Sequence, residues 1–157
     1  MGIFSKRAVP DRATPPMPRM SDIGDPEREW IAAHVELVTR TGTDVDDIGQ
    51  LRSFYDRTAA DWRRINPPER DDPNVIVNAI GMAFGEHLIH RTLLRWMIAE
   101  DERSTELALY EPRLGTPVYP ANLVAERWLA EDSGEFLTTM AEDVASRFRG
   151  SGRRRRS

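Results

Sequence analysis

The sequence predicts an α+β fold: two N-terminal helices, a buried central helix, a small antiparallel sheet of two to three strands and two C-terminal helices. Three observations predict it. Apolar residues recur at helical spacing from Trp30 to Trp62 and again from Val124 to Phe148. The run Val75–Ile89 is apolar nearly all round, as expected of a helix buried on several sides. Between them, Leu94–Glu100 and Thr105–Tyr110 read as two strands flanking the polar turn Asp101–Ser104, a length suited to a hairpin.

Taken in order, residues 1–24 hold Pro10, Pro15, Pro16 and Pro18 among scattered charges with no periodicity, which predicts a disordered tail. Asp25-Pro26 is a helix start, an acceptor followed by a proline whose missing N–H costs nothing there. Trp30, Ala33, His34, Leu37, Val38 and Thr41 form the stripe of this first helix, and Gly42 stops it. Asp44 or Asp46 caps the second, whose stripe is Ile48, Leu51, Tyr55, Thr58, Ala59 and Trp62. Asn66-Pro67-Pro68 ends it.

Asn74 caps the third helix. Gly81 and Gly85 stand four apart within it, and each costs about 1 kcal/mol against alanine, so a close crossing with a neighbour is expected to repay them. In the hairpin, Leu107 and Leu109 point to one face and Glu106 and Tyr110 to the other. Val118-Tyr119 is the candidate third strand. Pro120 opens the fourth helix, with Val124 and Trp128 inward. Ser133 or Gly134 opens the fifth, with Leu137, Met140, Ala141, Val144 and Phe148 inward, and Gly150 stops it. This gives one α+β domain over 25–150, made of a helical pair (25–65) and a core (74–150), followed by a basic tail over 151–157. The four tryptophans, Trp30, Trp62, Trp96 and Trp128, fall one to an element and read as core anchors.

Composition narrows the function. The chain has 157 residues, 39% apolar, with no cysteine, which excludes disulfides, thiolate metal sites and a cysteine nucleophile. No uncharged apolar run reaches the roughly 18 residues of a membrane span. Charge is uneven. Four basic residues against one acidic lie in residues 1–20 and four arginines in Arg153–Arg156, leaving 14 basic against 25 acidic between them. An acidic body repels nucleic acid, so the expected nucleic-acid contact is at most a weak one through the C-terminal tail.

Ala83-Phe84-Gly85-Glu86, Arg95-Trp96, Thr105–Ala108 and Tyr119–Trp128 together resemble an uncharacterised bacterial family, domain of unknown function 3806, over about residues 74–130. The resemblance implies a small α+β domain in a bacterial protein. It implies no reaction, ligand or catalytic residue.

The candidate sites are few. Glu86, His87 and His90 fall within one turn or so, and imidazoles at i and i+3 with a carboxylate can hold a metal; the alternative is that His87 and His90 are structural. Glu86 follows Gly85 on the face of Asn78 and Met82, where a partly buried carboxylate needs a partner. Arg95 and Arg127 are the expected partners, in a pair that fixes how the third helix meets the sheet and the fourth helix; the other reading is a polar pocket with a tuned acid. Asn122, Glu126 and Arg127 beside Tyr119 mark a helix start where free N–H groups favour anions, or else a solvated polar ladder. Glu86, His87, Asn122 and Arg127 are thus the candidate ligand-binding residues, with His87 and His90 as candidate metal ligands. Arg153, Arg154, Arg155 and Arg156 are candidate anion binders.

No catalytic residue and no cofactor is expected. The leading expectation is a non-enzymatic interaction or adaptor domain of the bacterial cytoplasm, working through its acidic surface on a partner protein or a second copy of itself. A small-ligand or metal-binding domain centred on Glu86 and His87 is the alternative, and an anion-binding accessory protein using the arginine tail is a third.

Overall fold

Proline, glycine and aspartate punctuation sets the element boundaries. A computed structural model describes residues 16–156, with side chains through Arg149. Its elements run β1 (Arg19–Asp22), α1 (Asp25–Thr39), α2 (Ile48–Arg64), a 3-10 turn (Pro67–Glu69), α3 (Asn74–Ile89), β2 (Arg95–Glu100), β3 (Thr105–Tyr110), α4 (Pro120–Leu129) and α5 (Glu135–Arg156). The fold is α+β, with five helices and a three-stranded antiparallel sheet among the described residues. The expectation for residues 1–15 lies outside them.

Three aspartates in the loop before α2 have three different partners. Asp47, not Asp44 or Asp46, caps the helix, its Oδ1 accepting from the backbone N–H groups of Gly49 and Gln50 at 3.0 and 3.2 Å. Asp44 accepts the N–H of Asp46 at 2.9 Å, and Asp46 turns to His90. Ahead of α1, Gly24 is the N-cap and its N–H donates to Glu27 Oε1 at 2.7 Å. At α3 the cap is Pro73, and Asp72 Oδ1 accepts the N–H of Asn74 at 2.9 Å.

The sheet order is β1-β2-β3. Its third strand is therefore Arg19–Asp22, inside the segment expected to be a tail, and not Val118-Tyr119. Arg19 pairs with Glu100 and Asp22 with Met97 in register, and an Arg19–Glu100 ion pair closes one end. A hairpin alone leaves both edges open, and β1 covers the β2 edge. Val118 makes only an isolated bridge to Leu109. Ala108 and Leu109 are adjacent and both fully buried. Successive side chains point to opposite faces, so both faces of the sheet are covered at this point.

α3 lies at the centre, buried along nearly its whole length. Its two glycines each admit a neighbour. A Cβ on Gly81 would lie 2.7 Å from the Cα of Ala121, and one on Gly85 would lie 2.3 Å from the Trp96 ring. The first allows the start of α4 to cross α3, the second lets the edge of the Trp96 ring pack against it. The main core joins Leu51, Phe54 and Tyr55 of α2, Phe84 and Leu88 of α3, Val124 and Trp128 of α4, and Leu137 and Val144 of α5. Trp128 is its anchor, edge-on to Tyr55 and Trp62 at 5.7 Å from each.

Two helices depart from expectation. In α1 only Ile31 and Val38 are buried. Trp30 is 40% exposed and Leu37 38%, so the Trp30–Ala33–Leu37 stripe faces outward, and Trp30 is not a core anchor. α5 does not stop at Gly150 but runs to Arg156. Arginine is a good helix former, and basic residues at a helix C-terminus meet the negative end of the dipole, which offsets two glycines. The side chains of Arg153–Arg156 lie outside the described residues, as does the anion-binding expectation for them. No helix among the described residues is long and apolar enough to cross a membrane.

Candidate functional site

A groove of about 510 Å³ opens where α1, α3, β3 and the start of α4 meet. Each wall follows from local sequence. Glu27 and Trp30 come from the outward flank of α1. Asn78, the one polar residue from Val75 to Phe84, and Met82 one turn later form the floor. Glu106 leaves β3, and Tyr119 and Asn122 bracket Pro120 at the start of α4.

The groove is acidic without a counter-charge. Among the described residues no arginine, lysine or histidine lines it. Glu27 uses one oxygen to hold the Gly24 N–H. Glu106 accepts from Asn122 Nδ2 at 2.5 Å and from the Ser104 hydroxyl at 3.1 Å. Neither carboxylate joins an ion pair among the described residues. Burial, with the negative charges of Glu106 and Asp101 nearby, pushes the Tyr119 phenol above its ordinary value. It stays a neutral O–H beside an anionic wall. Two aromatic rings and two uncompensated carboxylates around one space are the chemistry that binds a cation. The start of α4 thus carries Glu106 against it, which opposes an anion there.

The expected site residues do not converge. Glu86 lines a second groove of about 670 Å³ along the opposite flank of α1, with Trp96 and Arg28. Its Oε2 accepts the Trp96 indole N–H at 2.8 Å, and His90 Nε2 lies 3.7 Å from its Oε1. Trp96, not Arg95 or Arg127, is therefore its partner. Arg95 lies 4.0 Å from Asp22, and Arg127 pairs with Asp132 at 3.1 Å and stands over the Phe136 ring at 5.7 Å. Although the second groove is larger, it carries counter-charge of its own: Arg28 lines it, and Glu36 pairs with Arg40 at 3.3 Å.

His87 is 1% exposed, and its Nδ1–H donates to the Val45 carbonyl at 2.8 Å. Burial holds its pKa below 6.5, partly opposed by that hydrogen bond. His90 Nδ1 is 2.5 Å from Asp46 Oδ1, and this bond above all holds the Asp46 carboxyl below its ordinary value. Arg91 donates to the Asp46 carbonyl at 2.6 Å. Three side chains from the end of α3 thus clamp the loop before α2, and the two imidazoles bond separate acceptors. Among the described residues no group of three or more His, Cys, Asp or Glu is placed to hold a metal ion.

Sequence reasoning missed Glu27, Trp30, Asn78 and Glu106 as parts of one site. Asn78 carried a signal, a lone amide in an apolar helix. In the sequence Trp30 reads as a core anchor, Glu106 as a strand residue and Glu27 as an acidic residue of a helix's first turn, and only the tertiary fold brings them together.

The fold and the groove define a small α+β domain whose most distinctive surface is an acidic, aromatic-lined cleft. Residues 56–139, more than half of the chain, match the family described as a domain of unknown function (DUF3806), and the chain belongs to that family. The match reaches back into α2 and forward into α5. No curated protein and no solved structure matches the chain.

Proposed function

We propose that this protein is a non-enzymatic interaction domain of the bacterial cytoplasm that engages a basic partner through the acidic groove between α1 and β3. The observation that carries this reading is the pair Glu27 and Glu106, two carboxylates without cationic neighbours among the described residues, in a cleft lined by Trp30 and Tyr119. A surface charge left uncompensated by the fold repels its like and attracts its opposite, and it sets the salt dependence of whatever binds. The acidic balance of the body supports the same sign of partner.

The test is comparative capture. Wild-type protein and the double variant Glu27→Gln, Glu106→Gln, which keeps both hydrogen-bonding shapes, are immobilised and exposed to native extract at low and high salt. A partner held by the wild type at low salt, released by salt and lost from the variant supports the reading. A partner retained equally by the variant assigns the interaction to another surface.

A further inference from the structure

The groove has a second feature, a strand edge left unpaired beyond Leu109 among the described residues. β3 is the outer strand of the sheet. Leu109 exchanges both backbone hydrogen bonds with Val118, at 2.8 and 2.9 Å, so its polar groups face that outer edge. Backbone direction alternates along a strand, so those of Leu107 and Thr105 face the same way. Opposite Leu107 in this register stands Pro120, which has no N–H to give and starts α4. The chain therefore leaves the edge just where pairing would continue. Thr105 and Leu107 both line the groove, together with Glu106 between them and Tyr119 and Asn122 across it.

Resting on the interaction reading above, we infer that the occupant of the groove is an extended polypeptide segment that adds along the free β3 edge at Thr105 and Leu107 and places an arginine side chain between Glu27 and Glu106. Edge pairing supplies main-chain hydrogen bonds, and a pocket for an alternate side chain supplies selectivity. Arginine suits this pocket better than lysine. Its planar guanidinium stacks on an aromatic face such as that of Trp30 or Tyr119 while its fork of N–H groups bonds carboxylate and amide oxygens. Glu27, Glu106, Asn78 and Asn122 provide acceptors of both kinds. A small free cation would use the carboxylates but leave the strand edge unpaired.

The test uses the full chain and a set of capped hexapeptides of alternating valine and threonine with one arginine at varied positions, read by fluorescence anisotropy and by backbone amide shifts. At least one register should bind, with shifts at Thr105 and Leu107. Replacing its arginine by neutral citrulline should weaken it by about tenfold or more, as loss of a charge-assisted pair does. N-methylation of the amides that face β3 should weaken it comparably. Glu106→Gln should shrink the arginine–citrulline difference while leaving the N-methyl effect in place, a split that mere misfolding would not produce. Equal binding of the citrulline peptide overturns the guanidinium assignment. Equal binding of the N-methylated peptide, or of arginine amide alone, overturns the strand pairing. If no peptide binds, the inference falls, and the capture experiment above decides separately whether the groove still engages a partner by other means.

Discussion

The imidazole of His87 is enclosed between α3 and the loop before α2, and that enclosure fixes the sign of its effect on stability. Its Nδ1–H is committed to the Val45 carbonyl, and burial lowers its pKa beneath the ordinary 6.5. The unfolded chain takes up a proton near 6.5, whereas the folded chain resists until lower pH. The stability His87 contributes is therefore complete above pH 6.5 and is lost as pH falls towards its folded value. Asp46 acts by the same sign in a separate window, below its ordinary 3.8. The melting midpoint should fall between about pH 7.5 and about pH 5.5, the range in which only histidine ordinarily titrates. In His87→Gln, which keeps an N–H donor for Val45, that slope should flatten. A midpoint of the wild type that is level across this range would show that the ring accepts its proton without penalty. Sequence alone placed His87 beside His90 and Glu86 at metal-ligand spacing; it could not show that one ring turns inward to a carbonyl and the other outward to Asp46, because both partners lie more than forty residues away in the chain.

Among the elements, α3 was the most legible and α1 the least. An apolar run with small residues at 81 and 85 signals a buried helix crossed closely by others, and both glycines are indeed in contact with a neighbour's atoms. The hairpin was legible from two short strands around Asp101–Ser104. β1 was not, because four residues beside Pro16 and Pro18 carry no pattern and their pairing is supplied by β2. The stripe on α1 held at Val38 but misled at Trp30 and Leu37, which share a flank with only partial cover, and it missed Ile31, seven residues before Val38 and buried with it. The α3–α4 crossing gives the sharper prediction. Alanine at 81 gains helix propensity of about 1 kcal/mol, but its Cβ would meet the Ala121 backbone at 2.7 Å, where no side chain can rotate away. Overpacking of this kind costs about 1–3 kcal/mol, so Gly81→Ala should lower stability in a urea melt with an unchanged slope. If the variant equals or exceeds the wild type, the two helices do not approach as closely as described.

At the scale of the whole molecule, charge is arranged as an acidic body followed by an arginine-rich end, and the two act on association differently from the groove itself. Local contacts between carboxylates and a bound cation govern how slowly a complex parts; the summed field of the protein governs how quickly it forms. The chain carries −4 overall, and removing Arg153–Arg156 takes it to −8. Deletion of residues 153–157 should therefore speed association of a basic peptide at low salt, with no change in its dissociation rate. The gain should fade as ionic strength rises and the screening length shrinks to roughly 8 Å at physiological salt. Stopped-flow measurement at several salt concentrations separates the two rates. A slower dissociation in the truncated chain would mean something else: that the arginine end displaces bound peptide from Glu27 and Glu106, in the same chain or from a second copy. The same-chain and second-copy cases part by concentration, since displacement by another copy grows with protein concentration and displacement within one chain does not.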